Sequence, residues 1–181
     1  MPGPTAKAPN EFSRIVSPDR LGAPRIVECL EATPAERDAV ARRLGILAVD
    51  RLAAELTVKN LGGRLFRVEG RWQAAVQQAC VVTLEPVPAR LEGRLEASYE
   101  AGGRAAGGAS EVVVDPEADD PPEVLPAEGL DLGELVVQEL AVALDPYPRA
   151  PGAEVPAEFQ PSGAEEVKGP FAALEALKVK K

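Results

Sequence analysis

The sequence contains no histidine, so it lacks the side chain that most often serves as a general base or a metal ligand. Cysteine occurs only at Cys29 and Cys80, which gives neither a disulfide framework nor enough ligands for a structural zinc site. We expect both thiols to be reduced. Aromatic residues make up 4% of the chain, so the core has to be built from Leu, Val, Ile and Ala. These absences argue against a metalloprotein and against a histidine-dependent enzyme.

Long apolar runs are also missing. The longest apolar-rich window, near Leu132 to Leu144, is interrupted by Glu134, Gln138 and Glu139, whereas a membrane-spanning helix needs about 20 apolar residues. The first residues have no apolar run after their charge, as a secretory signal would. We therefore expect a soluble, cytoplasmic protein without membrane contact. The net charge of -9 argues against a general nucleic-acid binder, because phosphate backbones repel an acidic chain.

Catalytic motifs are not found in the sequence. The glycine pairs at 102–103 and 107–108 lack the helix and lysine that follow in a phosphate-binding loop. Cys80 falls on the apolar phase of its predicted strand and has no histidine to ionise it, so we expect a buried, inert thiol. The sequence therefore predicts a protein that is not an enzyme and that has no cofactor, metal or small-molecule substrate.

Apolar and polar residues alternate over long stretches, which is typical of half-buried antiparallel strands. The alternation predicts strands at about 51–59, 64–83 and 88–100. A hairpin turn is expected at 60–63, and the turn before the third strand at 84–88, because proline lacks the amide that a central strand needs. Gly70 lies within the second strand and is interpreted as a bulge or bend.

Two helices are marked by their end residues. Thr33, followed by Pro34 and Glu36, forms a capping box for a helix over 34–44. Asp131 and Glu134 form a second capping box for a helix over 132–144, which the prolines after Asp145 end. The second helix has an apolar stripe at helical spacing, consisting of Leu132, Leu135, Val136, Leu140, Ala143 and Leu144. The short runs 12–16 and 25–30 are predicted to pair as an edge hairpin.

These elements predict a single α+β domain over residues 12–148. Its sheet is expected to be an antiparallel β-meander of about four to six strands, with both helices on one face. The remaining segments are a disordered N-terminus (1–11), a flexible loop (101–110), an acidic segment (111–131), a Pro/Gly/Glu-rich linker (149–169) and an amphipathic C-terminal segment (170–181). The predicted core consists of Leu56, Val58, Phe66, Val68, Trp72, Val76, Cys80, Leu91, Leu95, Leu135, Val136 and Leu140.

Three segments leave a choice between a structural and a functional interpretation. The acidic segment is either a docking segment or a solvated loop, and residues 111–115 could add a strand. Phe171, Leu174 and Leu177 recur at i, i+3 and i+6, so the C-terminal segment docks either on its own domain or on another protein. Residues of the polar strand face, among them Arg67, Arg71 and Arg94, form either cross-strand ion pairs or a surface that binds RNA or a partner.

The sequence resembles a known family at three places in a fixed order. They are Cys80-Val-Val-Thr83-Leu84-Glu85-Pro86, Asp131-Leu-Gly-Glu134-Leu-Val-Val-Gln-Glu139-Leu and Asp145-Pro146-Tyr147-Pro148. Their order and spacing are similar to the YceD family, the bacterial and plastid large ribosomal RNA subunit accumulation proteins. The stretch from Pro170 to Lys178 is similar to the tail of the alphaproteobacterial branch. The resemblance covers about residues 12–178.

The resemblance implies a non-enzymatic factor that supports the synthesis, processing or stability of large-subunit ribosomal RNA. A ribosome-biogenesis protein or a pre-ribosomal particle is the expected partner, and direct RNA contact is the alternative. Many members carry a Cys-x-x-Cys pair at the first motif and further cysteines near the C-terminus, which suggests a metal site. Here Thr83 occupies the second position and the C-terminal region has no cysteine. We therefore expect no metal in this chain.

Overall fold

The computed structural model describes residues 10–102, 121–156 and 159, and it confirms the α+β class. In chain order the elements are β1 (Ile15–Val16), a 3-10 turn (Arg20–Gly22), β2 (Arg25–Glu31), α1 (Pro34–Leu44), β3 (Ala48–Gly62), β4 (Leu65–Ala79), β5 (Pro86–Ala101), β6 (Glu123–Leu125), β7 (Leu130–Asp131) and α2 (Leu132–Ala143). All of them lie in the first of two units, residues 1–151. In the second unit, residues 152–181, the amide of Phe159 donates to the carbonyl of Pro156.

The main sheet has the strand order β2-β3-β4-β5-β6. Each of the pairs from β2 to β5 is antiparallel, whereas β6 runs parallel to β5, with Tyr99 opposite Glu123. The sheet is therefore mixed, and the prediction of a purely antiparallel sheet was wrong at β6. A parallel pair needs a connection of about a dozen residues or more, and residues 102–122 supply one.

Part of the predicted acidic segment is folded. Residues 121–131 include β6 and β7, and burial together with Glu123 raises the pKa of Tyr99 to about 12. The rest of the segment, with the strand predicted at 111–115, lies outside the described residues. The same holds for most of the predicted loop at 101–110.

The predicted pairing of residues 12–16 with 25–30 was wrong. Strand β1 pairs with β7 in a small second sheet, and β2 pairs with β3 from Arg25 opposite Lys59 to Glu31 opposite Ala53. The carboxylate of Asp131 fixes the first run, because it accepts hydrogen bonds from the Arg14 amide and the Ser13 hydroxyl, each at 2.8 Å. These contacts join residues more than 100 positions apart, which local sequence patterns do not reveal.

The hairpin between β3 and β4 turns at Gly63 and Arg64, whose φ angles are 58° and 76°. Positive φ at both central positions is typical of a two-residue type I′ turn, which matches the twist of paired strands. The turn therefore lies later than the predicted residues 60–63. A register shift between Asn60 and Gly62, together with the Gly62 amide donating to the Asn60 side chain at 2.9 Å, extends β3 to Gly62.

The connection between β4 and β5 also differs from its prediction. Strand β4 ends at Ala79 rather than 83, and the turn is formed by residues 80–85. Pro86 and Pro88 belong to β5, opposite Ala79 and Gln77. Proline is tolerated there because the described residues pair this end of β5 on one side only, and an edge strand does not need every amide.

The buried core joins residues of the sheet strands with residues of both helices. Helix α1 packs against β3, and α2 contacts β5 and β1. Of the predicted core, Leu91 and Leu135 are partly buried against the core. The other predicted members are buried: Leu56, Val58, Phe66, Val68, Trp72, Val76, Cys80, Leu95, Val136 and Leu140. Neither α1 nor α2, the helices of the described part, has the length and apolar character to cross a membrane.

Both helices begin where the sequence predicts. In α1, Thr33 and Glu36 form the predicted reciprocal capping box, and Gly45 ends the helix with a φ of 66°. In α2, the Asp131 side chain accepts from the amides of Gly133 and Glu134. Glu134 does not complete a second capping box, because its carboxylate binds both guanidinium nitrogens of Arg43 at 2.7 Å. Ala143, predicted on the apolar stripe, is exposed.

Candidate binding surface on the sheet

The polar face of the sheet, on the side opposite the core, is organised in cross-strand rows. One row runs from Cys29 on β2 through Glu55 on β3 and Arg71 on β4 to Arg94 on β5, and we call it the arginine row. The next row contains Glu31, Ala53, Gln73 and Glu92. Antiparallel partners in such rows lie about 4.5–5.5 Å apart at their Cα atoms, so side chains in one row can act together.

The three arginines predicted as contact residues have different surroundings. Arg67 lies 3.6 Å from the carboxylate of Glu96, so it takes part in a cross-strand ion pair. Glu69 is paired with Lys59, whose hydrogen bond lowers the pKa of Glu69. Arg71 and Arg94 are both exposed, and within the described part of the chain neither forms an ion pair or a hydrogen bond. The structure thus separates Arg67 from the other two.

Arg71 and Arg94 stand directly opposite each other on β4 and β5. Like charges in this arrangement destabilise a sheet. Each guanidinium offers several donors in a planar fork, which matches the oxygens of a carboxylate or a phosphate. The arrangement is therefore suited to holding an anion between two adjacent strands.

A depression of about 700 Å³ lies beside the arginine row. Ala53 lies among its lining residues and is 9% exposed, although it is on the polar side of the sheet and outside the main core cluster. The depression is also lined by Glu31, Gln73, Glu92 and all four residues of the arginine row. A second depression of about 460 Å³ shares Glu55, Arg71 and Arg94 with the first. The two arginines therefore border both depressions.

The small side chains of this surface were missed as site residues in the sequence. Ala53 and Cys29 are short, whereas the residues around them are long and polar, so a depression forms between the rows. The available signal was the pair Ala53-Ala54 within β3, where the apolar alternation continues but one alanine must face the polar side.

The first family-like motif forms a turn around the sulfur of Cys80. The thiol is fully buried, and its Sγ accepts hydrogen bonds from the amides of Ala150 (3.3 Å), Val82 and Thr83 (both 3.4 Å). The Ala150 amide above all, followed by Thr83 and Val82, lowers the pKa of Cys80 to about 6. Burial of Cys80 is confirmed, but the residue lies in a turn rather than in a strand.

The other residues of that turn are mostly exposed. Leu84 has a φ of 62° and is 75% exposed, and the carbonyl of Glu85 accepts from the Cys80 amide at 2.8 Å. The Thr83 hydroxyl donates a hydrogen bond to the Glu85 carboxylate at 3.3 Å. Pro86 is the first residue of β5. The arrangement does not fit the metal site that the family resemblance implies. The sulfur of Cys80 already accepts hydrogen bonds from three backbone amides, and Thr83 has no thiolate to bind a metal. In the described ranges no group of three or more His, Cys, Asp or Glu residues is placed to hold a metal.

The remaining motif residues divide between two places. The buried Pro148 lies against the Cys80 turn, since its carbonyl accepts from the Val81 amide at 2.9 Å, and Pro146 is exposed nearby in sequence. Asp131 and Glu134 instead connect α2 to the N-terminal strand and to α1. Burial opposes ionisation of Asp131, but hydrogen bonds from Arg14, Ser13 and Asn10 outweigh it, so its pKa lies below the usual range.

Not every predicted residue is brought into a site. Glu139 is partly buried on α2 and makes no hydrogen bond or ion pair with the described residues. Phe171, Leu174 and Leu177 lie outside the described residues, so their docking stays a prediction.

Comparison with known proteins gives one match. The family model described as large ribosomal RNA subunit accumulation protein YceD matches residues 68–178, which is more than half of the chain. The matched range includes most of β4, the Cys80 turn, β5, α2 and the C-terminal segment as far as Lys178. Neither a curated protein nor a solved structure matches the chain.

Proposed function

We propose a function from the premise that this chain belongs to the YceD family, the large ribosomal RNA subunit accumulation proteins. The family match supports a role in ribosome biogenesis and is the observation that carries the proposal. Within that role, the protein is a non-enzymatic factor that supports the synthesis, processing or stability of large-subunit ribosomal RNA. It acts through a ribosome-biogenesis protein or a pre-ribosomal particle.

Two features support action through protein partners. The net charge of -9 is unfavourable for a general RNA binder, whereas it favours association with basic proteins. The C-terminal segment carries Phe171, Leu174 and Leu177 at the spacing of an amphipathic anchor, and residues 170–178 lie within the family match. We propose that this segment contacts the partner.

The proposal is tested by depleting the protein from cells and separating the lysate on a sucrose gradient. Mature and precursor large-subunit RNA are then quantified against small-subunit RNA. We expect a selective loss of large-subunit RNA, which re-expression of the protein restores. Balanced subunits after full depletion would overturn the proposed function.

Direct RNA binding by the polar face is the second candidate function. It is supported by the exposed Arg71 and Arg94, which lack partners among the described residues, with Arg67 on the same face. This candidate predicts salt-sensitive binding of structured RNA that is lost when these three arginines become alanine. An unchanged RNA affinity in that variant would exclude this face as the RNA site.

A further inference from the structure

We infer that Arg71 and Arg94 form one binding site for a carboxylate carried by a basic segment of a partner protein. The inference rests on the proposed function, in which the chain acts through protein partners. It places the contact with the partner's carboxylate in the depression beside the arginine row.

The first argument is the lack of carboxylate partners for these two side chains. On the same face Lys59 is paired with Glu69 and Arg67 with Glu96, so cross-strand ion pairs are available to a cation that is positioned for one. Arg71 instead stands between Glu55 and Arg94 in its row and forms no ion pair with Glu55, and the two facing arginines repel each other. A bound carboxylate between the two guanidinium groups would remove that repulsion and form charge-assisted hydrogen bonds.

The second argument is the space next to the pair. The depression of about 700 Å³ falls within the range of about 300–1,000 Å³ that is typical of ligand sites. Gln73 supplies both a donor and an acceptor in the same space. An extended segment could place one acidic side chain on the arginines and its neighbouring side chains along the depression.

The third argument selects the kind of partner. Three carboxylates, those of Glu31, Glu55 and Glu92, line the depression together with the two arginines. A single-stranded RNA would bring further phosphates against these carboxylates, and repulsion would offset its contacts with the arginines. A basic polypeptide with one acidic residue can pair with both kinds of charge. Its acidic side chain binds the two arginines, and its lysines or arginines pair with the glutamates. Charge complementarity therefore favours a mixed-charge protein segment over RNA.

The probe for this site is the peptide acetyl-Lys-Ala-Glu-Ala-Lys-amide, titrated into the full chain. Binding is followed by NMR at the arginine Nε–H groups. We expect shifts of Arg71 and Arg94, and a loss of affinity of about tenfold or more when the peptide glutamate becomes glutamine or the protein carries Arg71→Gln and Arg94→Gln. The matched control carries Arg25→Gln and Arg90→Gln, which change the net charge equally on the same face but outside the depression. Equal losses in both double variants, or no binding, would overturn the inference.

A second arm distinguishes the protein segment from RNA. The variant with Glu31→Gln, Glu55→Gln and Glu92→Gln is titrated with the same peptide and with a single-stranded RNA of about 12 nucleotides, within the usual site size of a single-strand binder. We expect the variant to bind the peptide more weakly than the unmodified protein. If the unmodified protein binds the RNA more tightly than the peptide, and only the arginine variant loses that binding, the site is an RNA site and the inference fails.

Complementation of depleted cells separates this inference from the proposed function. We expect the Arg71→Gln, Arg94→Gln variant to fold normally but to leave large-subunit RNA low, whereas the Arg25→Gln, Arg90→Gln control restores it. Full restoration by the arginine variant would overturn the inference and leave the proposed function standing. If depletion itself leaves large-subunit RNA unchanged, the proposed function fails, and the peptide titration alone decides the chemistry of the site.

Discussion

Gly70 is required because the backbone of the neighbouring strand leaves no room for a side chain, and not because the chain turns there. It lies inside β4 opposite Leu56 and Leu95, where the register runs without a break, so the predicted bulge is not present at this position. A Cβ atom added at Gly70 would lie 2.1 Å from the carbonyl oxygen of Glu55 and 2.8 Å from the Leu56 side chain. No side chain fits there without a shift of the β3 backbone.

We therefore expect Gly70→Ala to destabilise the fold by about 2 kcal/mol or more, because overpacking forces the neighbouring strand to move. Gly22→Ala is the control, since nothing lies within 4 Å of a Cβ at Gly22. Chemical denaturation of both variants measures the change in the free energy of unfolding. Equal, small changes in the two variants would contradict the close approach.

Cys80 is a second residue whose surroundings determine its chemistry. Its pKa is lowered from 9.0 to about 6, because backbone amides donate hydrogen bonds to the sulfur. A lowered pKa stabilises the fold fully above the unfolded value of 9.0, and this contribution is lost as the pH falls from 9.0 through about 6. The lowered pKa could not be predicted from the sequence, because the three amide donors come from the turn itself and from a residue 70 positions away.

Titration of thiolate absorbance in a Cys29→Ser variant should therefore show a step near pH 6. A variant that also carries Cys80→Ser supplies the background without any thiol. We expect the step to disappear there and the turn formed by residues 80–85 to lose protection from amide exchange. A single step near pH 9.0 in the Cys29→Ser variant would show that the amides do not hold a thiolate.

At the scale of elements, α1 is held at its N-terminus by charge as well as by its cap. Glu36 accepts from the Thr33 amide at 2.8 Å and binds both guanidinium nitrogens of Arg14 at 2.7 and 3.1 Å. The hydrogen bond from Arg14 is the main reason that the pKa of Glu36 falls from 4.5 to about 2. The pair therefore connects α1 to the segment that leads into β1.

Glu36→Gln should lower the free energy of unfolding at pH 7 by about 1 kcal/mol, a value discounted for solvent screening because the pair is partly exposed. Because the folded pKa is depressed, the charge stabilises the fold above pH 4.5, and its contribution is lost as the pH falls to about 2. The difference from the unmodified protein should therefore vanish over that range. Asp38→Asn, an exposed change on the same helix, should have little effect at either pH. A difference that persists at pH 2 would contradict the charge contribution.

The elements that the sequence predicted well are those defined by neighbouring residues. The bounds of α1 follow from the cap at Thr33 and from Gly45, and all of these interactions lie within a few residues. The pairing of β1 with β7 and the parallel position of β6 depend on contacts between distant parts of the chain. The turn before β5 was misplaced because the proline rule holds for central strands, whereas this part of β5 is an edge among the described residues.

The candidate site could be predicted only in part, because strand alternation is a local pattern and strand register is not. Strand alternation places Arg67, Arg71 and Arg94 on the polar face, and the structure agrees. Which of them has a carboxylate partner depends on the register between β3, β4 and β5, which alternation alone does not determine. A shift of two residues would keep every side chain on its face but would give Arg71 a different neighbour.

At the scale of the whole molecule, the buried core of the first unit is made by residues between Phe12 and Leu140. The family match extends from residue 68 to Lys178 and therefore includes most of the C-terminal segment. Under the proposed function, the segment 170–181 contacts the partner through Phe171, Leu174 and Leu177.

Removal of residues 170–181 should accordingly leave the melting temperature of the protein unchanged but prevent it from restoring large-subunit RNA in depleted cells. The apolar spacing of Phe171, Leu174 and Leu177 is the physical reason, because an amphipathic segment binds a partner through these side chains. Alanine at all three positions should reproduce the loss, whereas Lys178→Ala with Lys180→Ala should restore normally. A clear drop in melting temperature on truncation would instead assign the segment to its own domain, and full restoration by the truncated protein would remove it from the function.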